Sequence, residues 1–224
     1  MLLYIVGAGG FGREVLCYAR DVGRDVTTGT PLTVAGFLDD HRGALDGHAV
    51  GTTVVGGVAD APIGPDAAFV IAIGDPRVRW KLAGALAARG ARFATIVHPT
   101  AYVAPGARLG AGAIIGPFAF VSDNVTVGGH TIFNTYCSAG HDATLGRCVV
   151  MSPYAVVNGN TTVGDGAFFG THATLVLGKR LGAWAKLGAG AVALADIADG
   201  TLAVGVPAAG AIKYAAPIEP GPPA

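Results

Sequence analysis

The sequence predicts a small Rossmann-like α/β domain followed by a parallel β-helix of hexapeptide repeats, and three observations carry that expectation. Near the start, a short apolar run leads into a glycine-rich turn and then into a helical pattern. From Val97 to Val192 the chain divides into sixteen consecutive blocks of six without an insertion. With 36 glycines and only 13% charged residues in 224, the composition also departs from that of an ordinary globular domain.

The α/β domain is expected over residues 1–94. Met1-Leu-Leu-Tyr-Ile-Val6 has no basic leader and runs straight into glycines, so it reads as a first strand rather than a signal peptide. Gly7-Ala-Gly9-Gly10-Phe11-Gly12 then matches G-x-G-x-x-G and opens a helix over Arg13–Arg20. Glycines let such a turn approach a ligand closely, and the helix N-terminus offers unpaired N–H groups to a phosphate. A second strand, Val34–Leu38, ends in Asp39-Asp40; a third spans Phe69–Gly74; a second helix, Arg77–Arg89, is closed by Gly90. The unit is half the size of a full doubly wound domain, which argues against an NAD oxidoreductase. A nucleotide or other phosphate-bearing ligand is expected, the alternative being a turn with a purely structural role.

The β-helix is expected over 95–200. The first residue of every six-residue block is apolar, from Val97 and Val103 through to Leu181 and Leu187. The fifth is Ala, Val, Thr or Cys in all but one block, Lys179 being the exception. One large and one small inward residue per six is the signature of a triangular coil of three blocks, stabilised by stacking coil on coil. Residues 201–224 are expected to form a tail, loose over the Pro-rich end Ala216–Ala224.

Fifteen basic and fifteen acidic residues cancel, so no bulk field draws the chain to nucleic acid or to an anionic membrane. Apolar runs are too short to span a bilayer. Cys17, Cys137 and Cys148 lack metal-type spacing, which fits a reducing cytoplasm with neither zinc nor disulfide. Along the eighteen-residue coil, Ile114, Ile132, Val150 and Phe168 make an outward apolar stripe, whereas Arg108, Thr126, Thr144, Thr162 and Arg180 make a polar column. Such a stripe calls for a cover. The expected cover is a second and third copy in a homotrimer with clefts between rods; the chain's own termini are the alternative.

Outward positions on the rod hold His98, His130, His141 and His172. His141 is singled out because Gly159 lies one coil above it and leaves a notch, and because Asp142 or Asp123 could orient its ring. Histidine ordinarily titrates near neutrality and suits general-base chemistry. A three-histidine zinc site from His130, His141 and His172 is set against this: their separations place them on different faces or coils, so no metal is expected. Cys137 points inward, which disfavours an acyl-enzyme route.

These residues resemble the hexapeptide-repeat acetyltransferases of the sialic acid O-acetyltransferase type and the nucleotide-aminosugar N-acetyltransferases of bacillosamine and perosamine pathways. The likeness runs through Gly7–Gly12, Phe37–Asp40, Ala72–Gly74, Val97-His-Pro99, the segment Asn134 to Asp142, and Val204–Ala208. The resemblance implies a left-handed β-helix and transfer of acetyl from acetyl-CoA to the 4-amino group of a nucleotide-linked deoxysugar. By resemblance His141 is the base and Asp142 its acidic partner. Gly9, Gly10, Phe11, Asp39, Asp40, Gly74 and Asn134 meet the acceptor, and Val150, Gly159, Thr171 and Ala189 lie along CoA. Two departures stand out, since relatives carry histidine in place of Phe11 and, in some, of Val150. O-acetylation of a sialic-acid-like sugar and a non-catalytic binding scaffold are the other readings.

Overall fold

The structure, a computed structural model, describes residues 1–213. Its first part is a four-stranded parallel sheet of β1 (Leu2–Val6), β2 (Thr33–Leu38), β3 (Val54–Gly56) and β4 (Ala67–Ile71), in the order β3-β2-β1-β4. Helices α1 (Gly10–Val22) and α2 (Pro76–Ala88) follow β1 and β4. Both start earlier than the sequence pattern indicates, because their caps act upstream. Gly9 caps α1, and the Asp75 carboxylate accepts from the N–H groups of Arg77 and Val78 ahead of Pro76. The glycine turn is required by space: Gly7 has φ +100°, and a Cβ on Gly12 would stand 2.0 Å from the Gly7 carbonyl oxygen. Helix and strand therefore pack backbone against backbone. Strand β3, only three residues long, has no apolar run to announce it.

From Ile96 the chain winds into a three-sided prism of two-residue parallel strands. One side, the Ile face, begins Ile96–Val97, Ile114–Ile115, Ile132–Phe133, Val150–Met151 and Phe168–Phe169. The aromatic face carries Tyr102, Phe120, Ser138 and Val156 on its outside, and the Thr face carries Arg108, Thr126, Thr144, Thr162 and Arg180. From Ile96 to Ala193 the strands pair at an offset of eighteen residues, as the six-residue pattern predicts; in the last coil the offset shortens, Lys186 pairing with Leu202. Inside, first-position residues from Ile115 to Leu187 form one buried core with the small fifth-position residues.

The corners follow a rule that the apolar pattern does not reveal. Ten non-glycine residues have φ between +54° and +62°, and all occupy the fourth position of a block: Phe118, Tyr136, Tyr154 and His172 on the Ile–aromatic corner, Asn124, Asp142 and Asn160 on the aromatic–Thr corner, and His130, Cys148 and Trp184 on the Thr–Ile corner. A left-handed residue turns the strand to the next side, at a conformational cost for anything but glycine. On the Ile–aromatic corner stacking offsets that cost, with ring centroids 4.9, 4.9 and 4.7 Å apart from Phe118 up to His172.

Two expectations are corrected. The apolar stripe is not free for a partner: Ile114, Ile132 and Val150 are buried in a cluster with Leu3, Val15 and Leu16, so the chain's own α/β unit covers it. Its apolar area is satisfied within one chain, and the stripe carries no argument for a trimer. Residues 201–213, expected as tail, include strands Thr201–Val204 and Ala209–Lys213, which extend the Ile face. Ala203 is fully buried there, closing the end of the prism. The loose end expected at 216–224 lies outside the described residues.

Candidate active site

At the carboxyl ends of β1, β2 and β4, the glycine turn, Asp39-Asp40 and Gly74 come together. Asp39 is more committed to structure than the sequence indicates: its Oδ2 accepts from the Ala8 N–H at 2.8 Å and its Oδ1 from the His41 N–H at 2.9 Å. It thereby pins the turn. Asp40 accepts from the Val58 N–H at 3.0 Å and is exposed. A Cβ added at Gly9 or Gly74 would meet nothing within 4 Å, so both glycines border open space.

That space continues into a cleft of about 180 Å³ between α1 and the Ile face. Phe11, Glu14 and Gly74 line one wall; Asn134, Ser152, Ile132, Val150 and Phe168 line the other. Phe11, Gly74 and Asn134, all expected to meet the acceptor, are thus brought together. Val150 sits here too, rather than beside the other residues expected along CoA. Thr171 and Ala189 stack on the Ile–aromatic corner, with the Gly190 N–H bonded to the Thr171 carbonyl, and Gly159 is on the aromatic–Thr corner. Those four residues form no single surface within one chain.

His141 stands on the aromatic–Thr corner, its side chain 60% exposed. Of the two candidate carboxylates the structure selects Asp142, whose Oδ2 lies 2.7 Å from His141 Nδ1. Asp123 turns away over Gly106. A carboxylate only accepts, so this contact puts the proton on Nδ1 and leaves Nε2 a lone pair. A Cβ on Gly159 would stand 2.8 Å from Nε2 and 2.9 Å from Cε1, so the notch exists because that residue is glycine. The sequence reasoning missed Asn124, whose Nδ2 donates to Asp142 Oδ1 at 2.7 Å. That bond, with a smaller contribution from His141, holds the Asp142 carboxyl below the usual carboxylate range.

The other histidines serve structure. His130, expected to face outward, is buried, with Phe93 edge-on at 4.4 Å. Burial, then Arg79 and Arg147, push its pKa down to about 3. His98 ties the rod to α1 through Asp21 at 3.2 Å, and His172 tops the corner stack. Among the described residues no group of three or more His, Cys, Asp or Glu is placed to hold a metal, and no helix is long and apolar enough to cross a membrane. Cys137 is buried, and desolvation pushes its thiol up to about 12, which keeps it unreactive.

A hexapeptide prism with a carboxylate-oriented imidazole over a bare notch, carrying an α/β unit with a glycine turn, defines a protein of the β-helix acyltransferase class. Residues 2–86 match the PglD N-terminal domain family. The acetyltransferase domain of PglB from Neisseria gonorrhoeae is 30% identical over 94% of this chain and 99% of its own, with a TM-score of 0.83. PerB from Caulobacter crescentus, solved with CoA and GDP-perosamine, is 30% identical over 94% of this chain and 97% of its own, with a TM-score of 0.82. The GDP-perosamine N-acetyltransferase of Escherichia coli O157:H7 is 32% identical over 74 residues, a stretch spanning 34% of that protein. The chain belongs to the hexapeptide-repeat sugar acetyltransferase family of which PglB and PerB are members.

Proposed function

We propose that the chain transfers acetyl from acetyl-CoA to the 4-amino group of a nucleotide-linked deoxysugar, with His141 as general base. The observation that carries the reading is the His141 imidazole, held through Nδ1 by Asp142 with Nε2 over Gly159. Nε2 takes a proton from the amine as its nitrogen attacks the thioester carbonyl carbon. The C–S bond then breaks, and the departing thiolate recovers the proton. Among the described residues no backbone acceptor takes the Gly159 N–H, which leaves it available to the oxyanion. The acceptor's diphosphate meets the N-terminus of α1 at Gly9 and Gly10, its nucleoside lies toward Asp39 and Asp40, and its sugar enters the cleft at Phe11, Gly74 and Asn134. The apolar wall of Ile132, Val150 and Phe168 suits a deoxysugar carbon better than a hydroxymethyl group.

In one chain the cleft opens on the Ile face, whereas His141 lies a full prism side away, beyond the aromatic face. A base from one copy serving the cleft of its neighbour accounts for that separation and supports a homotrimer. The aromatic face and its corner, with Tyr102, Phe118, Phe120, Tyr136 and Tyr154 all exposed, then take the role first given to the covered stripe. CoA would run in the groove between copies past Gly159, Thr171 and Ala189.

Thiol release from acetyl-CoA, followed with nucleotide-linked 4-aminosugars, tests the reading. Turnover is expected with the amine, and His141→Ala should lower it by about 10²–10⁴-fold. Near-normal turnover by that variant, or turnover only with hydroxyl acceptors, would overturn it.

A further inference from the structure

Side chains on the aromatic–Thr corner are linked from one coil to the next. Arg108 Nη2 lies 3.3 Å from Asn124 Oδ1, Asn124 Nδ2 lies 2.7 Å from Asp142 Oδ1, and Asp142 Oδ2 lies 2.7 Å from His141 Nδ1. Chemistry fixes the sense of every link. A guanidinium only donates, so the amide edge facing Arg108 must be its oxygen; a carboxylate only accepts, so the edge facing Asp142 must be its NH₂. Both ends demand the same amide orientation.

We propose that Asn124 is a positioning residue that clamps Asp142 in the orientation His141 needs, with Arg108 setting the direction of the amide. The inference rests on the reading of His141 as the base. Asp142 is exposed on a corner and adjacent in sequence to the residue it orients, so on its own its carboxylate would be free to rotate into solvent. Asn124 sits one coil away, and it shares the left-handed backbone of its corner with Asp142, at φ +56° and +62°. The equivalent geometry points both side chains along the corner, and the amide occupies the carboxylate oxygen that the imidazole leaves over. Arg108, on the outside of the Thr face, reaches this amide from the coil that opens the rod. A triad of this kind keeps the ring's tautomer and tilt fixed without touching either substrate.

Asn124→Gly tests the clamp, since glycine accepts the φ of that corner and removes only the amide. It should lower kcat on the order of 10-fold, the scale on which small misplacements of a reacting group are felt, with KM for acetyl-CoA and for the aminosugar unchanged. In an Asp142→Asn background the same change should alter kcat by less than about 2-fold, because the residue acts through Asp142. If Asn124→Gly melts below the assay temperature, Asn124→Asp carries the same expectation: it keeps the side chain's shape and sets a carboxylate against Asp142. A kcat within about 2-fold of the parent, or an undiminished loss in the Asp142→Asn background, overturns the proposal. His141→Ala separates the two readings: if that variant stays active the base assignment has failed, whereas an inactive His141→Ala beside a fully active Asn124→Gly sinks the clamp alone.

Discussion

The Thr–Ile corner and the aromatic–Thr corner of the prism are made from the same hexad, and each carries a histidine. On the first, α2 lies across the corner. Arg79 is fully buried there, donating from Nε to the His130 carbonyl at 3.0 Å and from Nη1 to the Ile73 carbonyl at 3.2 Å, with further bonds to the carbonyls of His130 and Ile71. Trp80 packs edge-on against Trp184, and the Arg147 guanidinium lies 4.7 Å from the centre of a Trp80 ring. His130 is thereby sealed in with two cations, and its Nδ1 is buried with no hydrogen-bond partner among the described residues. On the second corner nothing among the described residues covers the imidazole, and its neighbours are a carboxylate, an amide and a glycine. The repeat fixes where a residue stands; what packs on it decides whether its ring is a buried wedge or an open imidazole.

Arg79→Met should weaken this contrast most. It leaves the carbonyls of His130, Ile71 and Ile73 buried without their donor, at a cost of about 3 kcal/mol in denaturant unfolding. A change below about 0.5 kcal/mol would mean that water already reaches the corner. Next in size is Gly159→Ala, which puts a methyl within contact of Nε2 and should cost roughly 10-fold or more in turnover while stability stays within ~1 kcal/mol. Equal activity would show that the notch is not where the thioester sits.

The smallest effect belongs to His130. Its folded pKa of about 3 lies below the usual 6.5, so the unfolded chain binds the extra proton first. The stability this group contributes is complete above pH 6.5 and is lost as the pH falls from there toward 3. The wild type should therefore lose up to about 1.4 kcal/mol per pH unit more than His130→Asn between pH 6.5 and 5. Parallel stability curves for the two proteins would show that the buried ring is protonated as readily as a free one.

The rod was legible because its physics is one-dimensional. A first-position aliphatic and a fifth-position small residue are forced by the width of the prism, so Val97 to Val192 could be counted off without coordinates. The notch at Gly159 followed from the same eighteen-residue arithmetic, which offered Asp123 beside Asp142 as the partner and could not choose between them; Asn124 could have been found that way, one coil before Asp142. The cover on Ile114, Ile132 and Val150 was not legible. An apolar stripe states only that something covers it, and the helix that does so is separated from it by some hundred residues of chain. Arg79 was hidden for a related reason, since one of three cations in a helix, with Arg77 and Lys81 beside it, looks solvent-facing until carbonyls from elsewhere are seen to surround it. His130 and His141 differ by what lies over them, and no local pattern records that.

The eighteen-residue coil also acts as a ruler. The α/β unit is fastened low on the rod, at His98 through Asp21 and at His130 through Arg79, so the cleft hangs at a fixed height relative to the coil that bears His141. Lengthening the rod beyond Leu187 by whole coils would leave that offset untouched, whereas inserting a coil between His130 and His141 would raise His141 by one strand spacing, about 4.8 Å. The length above the cleft is free to vary; the number of coils between His130 and His141 sets the height of the imidazole against the cleft.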